Sequence, residues 1–502
     1  MSSQNKLLLG FLVLILVAGI ALFACRCNHR ETIFDRVICT PKKFVLDIPK
    51  PLPLCDEIKD LKKGFIDVPN GGRLYYEEEG SGIPLVLLHG GPGGTHHVFH
   101  PYFSQMKNVA RIIYYDQRGT GQSSIDPTGK TYTIKQAVED LENLRKALNI
   151  DRWVMLGWSY GGFLAQCYAL TCPQHVQGIV LVASSPGSSA CTTQSREDMF
   201  ISAAEKECMQ KVRQAFADGH LTKEQAGYNK DLCGDWKRQG YYKPTCEELA
   251  RQTWYEWSPA PGFNNLMSLA GSEIDLAGKF VAFDIPTLIY EATWDLTWDA
   301  AKTTFMRKNH PHAQVEVFEK SGHCIFGDEP ERFFSLLKIF LDIAAKTPIS
   351  KLPVHTLVWP DPPSDMQCAV IIAGDVDTKV VREKALMALY DQFVKNDTID
   401  VQGWFYLAYK LASIKNPALV NQIVDALDRA EKSAQKMPLK NWDNEIIQIK
   451  IFRGHAFDLM SKRAQAIAQY KEALRIYDSM PKPVKNVMRD YIEQYLQESF
   501  KG

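Results

Sequence analysis

The sequence predicts an α/β fold: a mostly parallel sheet covered by helices on both faces, with a helical insertion and an all-α C-terminal region. Three observations lead there. From about residue 64, short apolar runs ending in polar or glycine-rich loops alternate with amphipathic stretches. Between 188 and 280 that rhythm stops in a segment rich in Lys, Glu, Trp and Cys. After Pro353 and "WPDPPSD" the chain reads as helices joined by short loops. The expected organisation is residues 1–27 a membrane anchor or signal/lipoprotein segment and 28–63 a linker. The sheet core begins over 64–187, is interrupted by a helical cap over 188–280 and resumes over 281–348. A second linker spans 349–365, and a helical domain spans 366–502.

Each element has a local reason. "RLYYEEEG" reads as an early strand. "PLVLLHG", "RIIYYDQRG" and "RWVMLGWS" are short apolar runs of the kind a sheet buries on both faces, and "GIVLVASS", "PTLIYEAT" and "QVEVFEKSGH" complete the set. Thr133 is placed to cap a helix in which Ile134, Ala137, Leu141, Leu144 and Leu148 share one face.

The apolar run Leu7–Ala24 has 18 residues, at the lower limit for a membrane span. It is read as an uncleaved anchor, with lipidation at Cys25 after Leu22-Phe23-Ala24, or cleavage, as alternatives. All three imply a membrane or exported setting, on the cell-envelope or periplasmic side. Cys191, Cys208, Cys233 and Cys246 would form two disulfides in that setting, or stay as four thiols in a reducing one.

Of 502 residues, 45% are apolar and 23% charged, an ordinary globular balance. Lys+Arg and Asp+Glu both number 58, which gives no electrostatic reason to expect nucleic acid. His96, His97 and His100 sit in one loop without Cys or carboxylate neighbours in sequence, so they read as a polar face and no metal site is expected.

The chemistry centres on Gly157-Trp158-Ser159-Tyr160-Gly161, which follows a strand and precedes the helical stretch "GFLAQCYAL". A sharp strand-to-helix turn there would expose the Ser159 hydroxyl, and small flanking residues let strand and helix approach. A serine nucleophile needs a base, and the base needs an orienting acid. Asp295 and His323 each follow a strand in the order Ser, Asp, His, which puts all three on one edge of the sheet. The backbone N–H groups of Tyr160 and Gly91 are the candidate oxyanion donors, Gly91 lying in the loop His89-Gly90-Gly91-Pro92-Gly93-Gly94. Cys324, beside His323, is either a reactive thiol or small packing material. No cofactor is implied, and the glycine loop lacks the Lys-Ser/Thr of a phosphate loop.

"HGGPGG", "DQRGTGQSS", "GWSYGG", Asp295 and "SGHCIFGDEP" together resemble the proline iminopeptidase branch of the α/β-hydrolase superfamily, over about residues 64–345. The resemblance implies an α/β-hydrolase fold and a serine hydrolase that removes N-terminal residues, often proline, from peptides. It makes Ser159 the nucleophile, Asp295 the acid and His323 the base. It makes Asp116 and Arg118 structural ties of the glycine turn. Epoxide hydrolases and dehalogenases of this fold carry Asp at the position of Ser159. The family's cap carries Trp-x-x-Trp-Glu, whose Glu helps hold the substrate amine. Here the segment is Trp254-Tyr255-Glu256-Trp257-Ser258, without that Glu. Glu256 or Glu273 would substitute, or lie on a solvated helix face. Trp254 and Trp257 would line a pocket for a ring, or form cap core. The substrate is therefore a peptide or a small acyl compound, with an esterase or lipase as the same-fold alternative.

Residues 454–481 resemble a tetratricopeptide repeat, with Gly454, Phe457, Ala466, Tyr470 and Ala473 at its small and aromatic positions. "WFYLAYKLASIKNPALVNQIVDAL" is an imperfect earlier copy, and a plain helical tail is the alternative. This TPR-like domain would bind a protein partner. A scaffold with an inactive hydrolase domain is the rival from a different functional class.

Overall fold

The computed structural model describes residues 43–500 except 70–71, 185–199, 273, 298–299, 350–356, 358, 376–378, 437–442 and 480–485. Eight strands form one sheet. They are β1 (Lys62–Val68), β2 (Gly72–Gly80), β3 (Ile83–Leu88), β4 (Ala110–Tyr115), β5 (Trp153–Trp158), β6 (Val176–Val182), β7 (Thr287–Ala292) and β8 (Gln314–Phe318). Their spatial order is β1-β2-β4-β3-β5-β6-β7-β8. β1 and β2 pair antiparallel, as do β2 and β4, and every later pairing is parallel.

Residue alternation explains why the central strands read as continuous apolar runs. Val86, Leu88 and Met155 face one core, whereas Leu85, Leu87, Val154 and Leu156 face the other. The first core is covered by α1 (Ile134–Ala147) and α2 (Tyr160–Thr171). Thr133 accepts a hydrogen bond from the Gln136 N–H at 3.1 Å, a cap that contributes about 1 kcal/mol.

Between β6 and β7 lie α3 (Ala203–Ala217), α4 (Lys223–Leu232), α5 (Cys246–Arg251) and α6 (Phe263–Ser272). Serine or threonine caps with reciprocal Glu or Gln partners start α3, α4 and α5. A disulfide joins Cys208 of α3 to Cys233, which follows α4, with Cα atoms 5.7 Å apart. Cys246 is an exposed free thiol, and Cys191 lies outside the described residues. α7 (Ala300–Asn309) follows β7, and α8 (Pro330–Ala344) covers the second core.

Among the described residues, seven α-helices follow: α9 (Asp365–Gly374), α10 (Lys379–Lys395), α11 (Val401–Ser413), α12 (Val420–Lys436), α13 (Asp443–Leu459), α14 (Arg463–Ser479) and α15 (Asn486–Gln497). They have their own cores, one around Trp404, Leu407, Leu411 and Leu427, another around Ala466, Tyr470 and Ala473. α9 docks on the start of α6, where Asp375 accepts from the Gly262 N–H at 2.7 Å.

The expectation of a membrane-anchored protein is corrected here. Among the described residues, no helix is long and apolar enough to cross a membrane. The run 7–24 and Cys25 lie outside the described residues. Part of the expected linker lies among the described residues. Residues 45–52 run along the cap as a strap. Val45 exchanges two 2.8 Å hydrogen bonds with the Asn229 amide, and Ile48 is buried in the cap core.

Candidate active site

Ser159 sits between β5 and α2 with φ 55° and ψ −121°, a backbone conformation that a residue with a Cβ adopts only under strain. The surrounding packing enforces it. A Cβ on Gly157 would collide with the backbone of Gly161 and Gly162, and one on Gly161 would strike the Leu88 carbonyl. Strand and helix are therefore as close as backbone allows. The Ser159 N–H donates to Val182 O on β6 at 2.9 Å, which ties the turn to the sheet.

Asp295 and His323 meet in the loops after β7 and β8. His323 Nδ1 lies 2.8 Å from Asp295 Oδ2, and both side chains are buried. Asp295 Oδ1 accepts from the Thr297 N–H at 2.9 Å and the Thr297 hydroxyl at 2.7 Å. Burial alone would raise the Asp295 carboxyl. The facing imidazole and the Thr297 donors outweigh it and hold the group below its ordinary value. With Nδ1 engaged, the Nε2 edge of His323 is the one left for a proton transfer.

Trp158 links this pair to the serine. Its Nε1–H donates to the His323 carbonyl at 2.8 Å, and the two rings lie 5.2 Å apart. Trp158, the residue before Ser159, thus ties the His323 loop to the serine turn. No hydrogen bond joins the Ser159 hydroxyl to the imidazole in this conformation, so the structure brings two of the three predicted residues into direct contact and sets the third alongside.

The glycine loop after β3 closes on the serine. A Cβ on Gly90 would lie 3.1 Å from Ser159 Cβ. Gly91 has φ +120°, which places it in the region that favours glycine. The Tyr160 N–H is in the first turn of α2, where no carbonyl of the helix reaches it. Asp116 ties the "DQRG" turn through the Gln122 N–H at 2.8 Å, and Arg118 makes a two-pronged pair with Asp140 at 2.8 and 2.9 Å.

The cap residues divide. Trp257 is on the site side. It forms a backbone bridge with Gly94, and its ring would be 3.1 Å from a Cβ on Gly91. Trp254 points the other way, donating from Nε1 to the Pro49 carbonyl of the strap at 2.9 Å, with Lys50 5.0 Å above its ring. Glu256 ends a π-helical turn, Gln252–Glu256, and its carbonyl accepts from the Thr95 N–H at 3.1 Å. The residue keeps part of its surface open, but its carboxyl is pushed up to about 8 by burial, then by Asp231 and Glu248. Its charge also acts on the Cys324 thiol, which places it near the His323 loop. Burial, then Asp328 and Glu256, hold that thiol well above its usual range, which disfavours the reactive thiolate. Glu273 lies outside the described residues.

The reading of His96, His97 and His100 as a polar face without companions is overturned. His96 and His100 are buried, and the fold brings Cys55, Glu77 and Asp116 to them from 15 or more residues away in sequence. Linear distance hid this cluster, and only the pairing of β2 with β4 and the strap assemble it.

The family described as the alpha/beta hydrolase fold matches residues 83–330. A proline iminopeptidase from Lactobacillus helveticus is 32% identical over 288 residues, which cover 54% of this chain and 95% of that protein. The chain belongs to the alpha/beta hydrolase family. A second proline iminopeptidase, from Heyndrickxia coagulans, is 28% identical over 295 residues, 56% of this hydrolase and 98% of the relative. Among solved structures, an alpha/beta fold family hydrolase from Bacillus anthracis str. Sterne is 20% identical with a TM-score of 0.46, covering 57% of this hydrolase and 99% of that chain. An esterase from Exiguobacterium antarcticum is 22% identical with a TM-score of 0.43, covering 55% and 98%.

Proposed function

We propose that this hydrolase is a serine peptidase that removes N-terminal residues from short peptides by an acyl-enzyme route. The observation that carries the reading is the 2.8 Å Asp295–His323 pair, set through Trp158 beside a strained serine turn. His323 takes the Ser159 proton as the oxygen attacks the carbonyl. The Tyr160 and Gly91 N–H groups hold the negative oxygen, and His323 then protonates the leaving amine. Water activated by the same imidazole releases the acyl group. Asp295 keeps the imidazole oriented and balances its transient positive charge.

The proline iminopeptidase relatives support a free N-terminal amine as the recognised group. Glu256 is our choice for its counter-charge. It stands one residue before Trp257, where the related cap has its Glu one residue after. An elevated carboxyl suits the role, because an ammonium arriving beside it would draw it into the charged form. Trp257 would flank the first side chain over the glycine loop.

We further propose the 366–502 region as a TPR-like partner-binding unit. Tight crossing of α13 and α14 supports this, since the Tyr470 ring fills the place of a side chain at Gly454. The test of the catalytic reading is a panel of aminoacyl amides with free and blocked amines. Preferential cleavage of the free-amine set supports it. Equal cleavage of both sets, or faster turnover of simple acyl esters, replaces it with an esterase.

A further inference from the structure

The histidine cluster lies behind the glycine loop and takes no part in the chemistry above. Cys55 Sγ and His97 Nδ1 are 3.5 Å apart. Ligand atoms of Cys55, His96 and His97 all lie within 4.8 Å of one another. His96 is wholly buried, and its Nδ1 is 2.8 Å from Asp116 Oδ1. That carboxylate holds a proton on Nδ1 and leaves Nε2 as the ring's other binding atom. His96 Nε2 is buried and has no hydrogen-bond partner. Glu77 Oε1 stands 3.4 Å from it. The same carboxylate oxygen pairs with Lys63 Nζ at 3.5 Å, so this group of thiol, imidazole and carboxylate already draws positive charge.

We infer that Cys55, His96 and His97 form a binding site for a thiolate- and imidazole-preferring divalent metal ion, zinc by ligand type. Ligand bonds of about 2.0–2.3 Å in tetrahedral array put neighbouring ligand atoms roughly 3.3–3.8 Å apart, a range that includes the Cys55–His97 separation. Soft sulfur with two imidazoles selects zinc over magnesium or calcium. The Asp116–His96 contact is the carboxylate–imidazole arrangement that orients a metal-binding histidine. A water would complete the fourth position. On binding, the Cys55 thiol releases its proton to solvent as the sulfur–metal bond forms. Lys63 Nζ, 4.0 Å from Cys55 Sγ, is also paired with exposed Asp56 at 2.8 Å and has an outward position to occupy when the metal carries the positive charge.

The ligands come from two segments well separated in sequence. Cys55 lies in the turn Leu54–Glu57 just after the strap, and His96 and His97 in the loop after β3. Thr95, next to them, donates from its N–H to Glu256 O at 3.1 Å and from its hydroxyl to Tyr255 O at 2.5 Å. The His97 and Tyr255 rings are 5.4 Å apart. A metal here would clamp strap, glycine loop and cap together beside Glu256, a structural rather than a catalytic ion.

Cobalt(II) titration of the chelator-stripped full chain tests this. One equivalent should produce a near-ultraviolet sulfur-to-cobalt charge-transfer band together with strong tetrahedral visible bands. Zinc should then displace the cobalt and raise Tm by a few degrees. Cys55→Ser should abolish the charge-transfer band. His97→Ala should weaken cobalt binding at least tenfold, with circular dichroism showing both variants folded. His97→Ala carries the test alone if Cys55→Ser does not fold. No sulfur-to-cobalt band in the wild type overturns the proposal. So does a band that persists in Cys55→Ser or an affinity unchanged in His97→Ala, because the cobalt is then held by another thiol.

Discussion

The catalytic rim and the cap that leans on it are held by different means. At the rim, every candidate group is fixed by strands or by backbone contact. Ser159 hangs from β6 through one N–H, and His323 is held by Asp295 on one side and Trp158 on the other. Glycines mark where backbones touch with no side chain between them. The cap is held by backbone links such as Ser258 N–H to Gly93 O, Ala260 N–H to Gly119 O and Thr95 N–H to Glu256 O, by α6 in the first core, and by the strap over Trp254. The proposed chemistry therefore sits on strand ends, and the proposed substrate preference on an inserted segment joined to them by backbone bridges and a packed helix.

That contrast sets the expected sizes of effect. Asp295→Asn leaves the geometry but removes the negative partner of His323, so kcat should fall by about 10⁴-fold. Steady-state kinetics with an aminoacyl amide reads this directly, and a loss below tenfold would put the acid elsewhere. Gly161→Ala strikes the Leu88 carbonyl, and backbone has nowhere to move in a sheet buried on both faces. Urea denaturation should show a loss of at least about 2 kcal/mol. A similar cost at Gly227, where an added Cβ meets nothing, would undo the comparison between rim and cap.

How far the sequence speaks follows the same division. Rim residues sit next to the strands that place them, so "GWSYGG", Asp295 and "SGHC" were legible from strand ends alone. Both buried sheet faces were legible in "PLVLLHG" and "RWVMLG", because uninterrupted apolar runs satisfy two cores at once. The cap was legible only as a break in rhythm. That Trp254 turns to the strap while Trp257 turns to Gly91 depends on contacts spanning some 160–205 residues, which no local pattern encodes. The same holds for Cys55 and Glu77 beside His96.

Smaller effects sharpen the cap side. Glu256→Gln should raise KM for free-amine substrates about tenfold, the loss of one charge-assisted contact, and leave blocked substrates unchanged. The same variant has a stability signature. A carboxyl raised from 4.5 to about 8 binds its proton more tightly in the folded protein. Stability of the wild type should therefore fall as pH rises between those values. Thermal melts across that window should show a shallower decline in Glu256→Gln, and parallel curves would mean that the carboxyl is not held in its neutral form. Trp254→Phe removes one hydrogen bond to the strap and should cost about 1 kcal/mol with little change in kcat.

The most direct test of the central claim is labelling of the folded hydrolase with a fluorophosphonate, followed by peptide mapping. We expect one phosphonyl group on the peptide carrying Ser159, none in Ser159→Ala and much slower labelling in Asp295→Asn. Label on a different residue, or an active preparation that takes up no label, would contradict it.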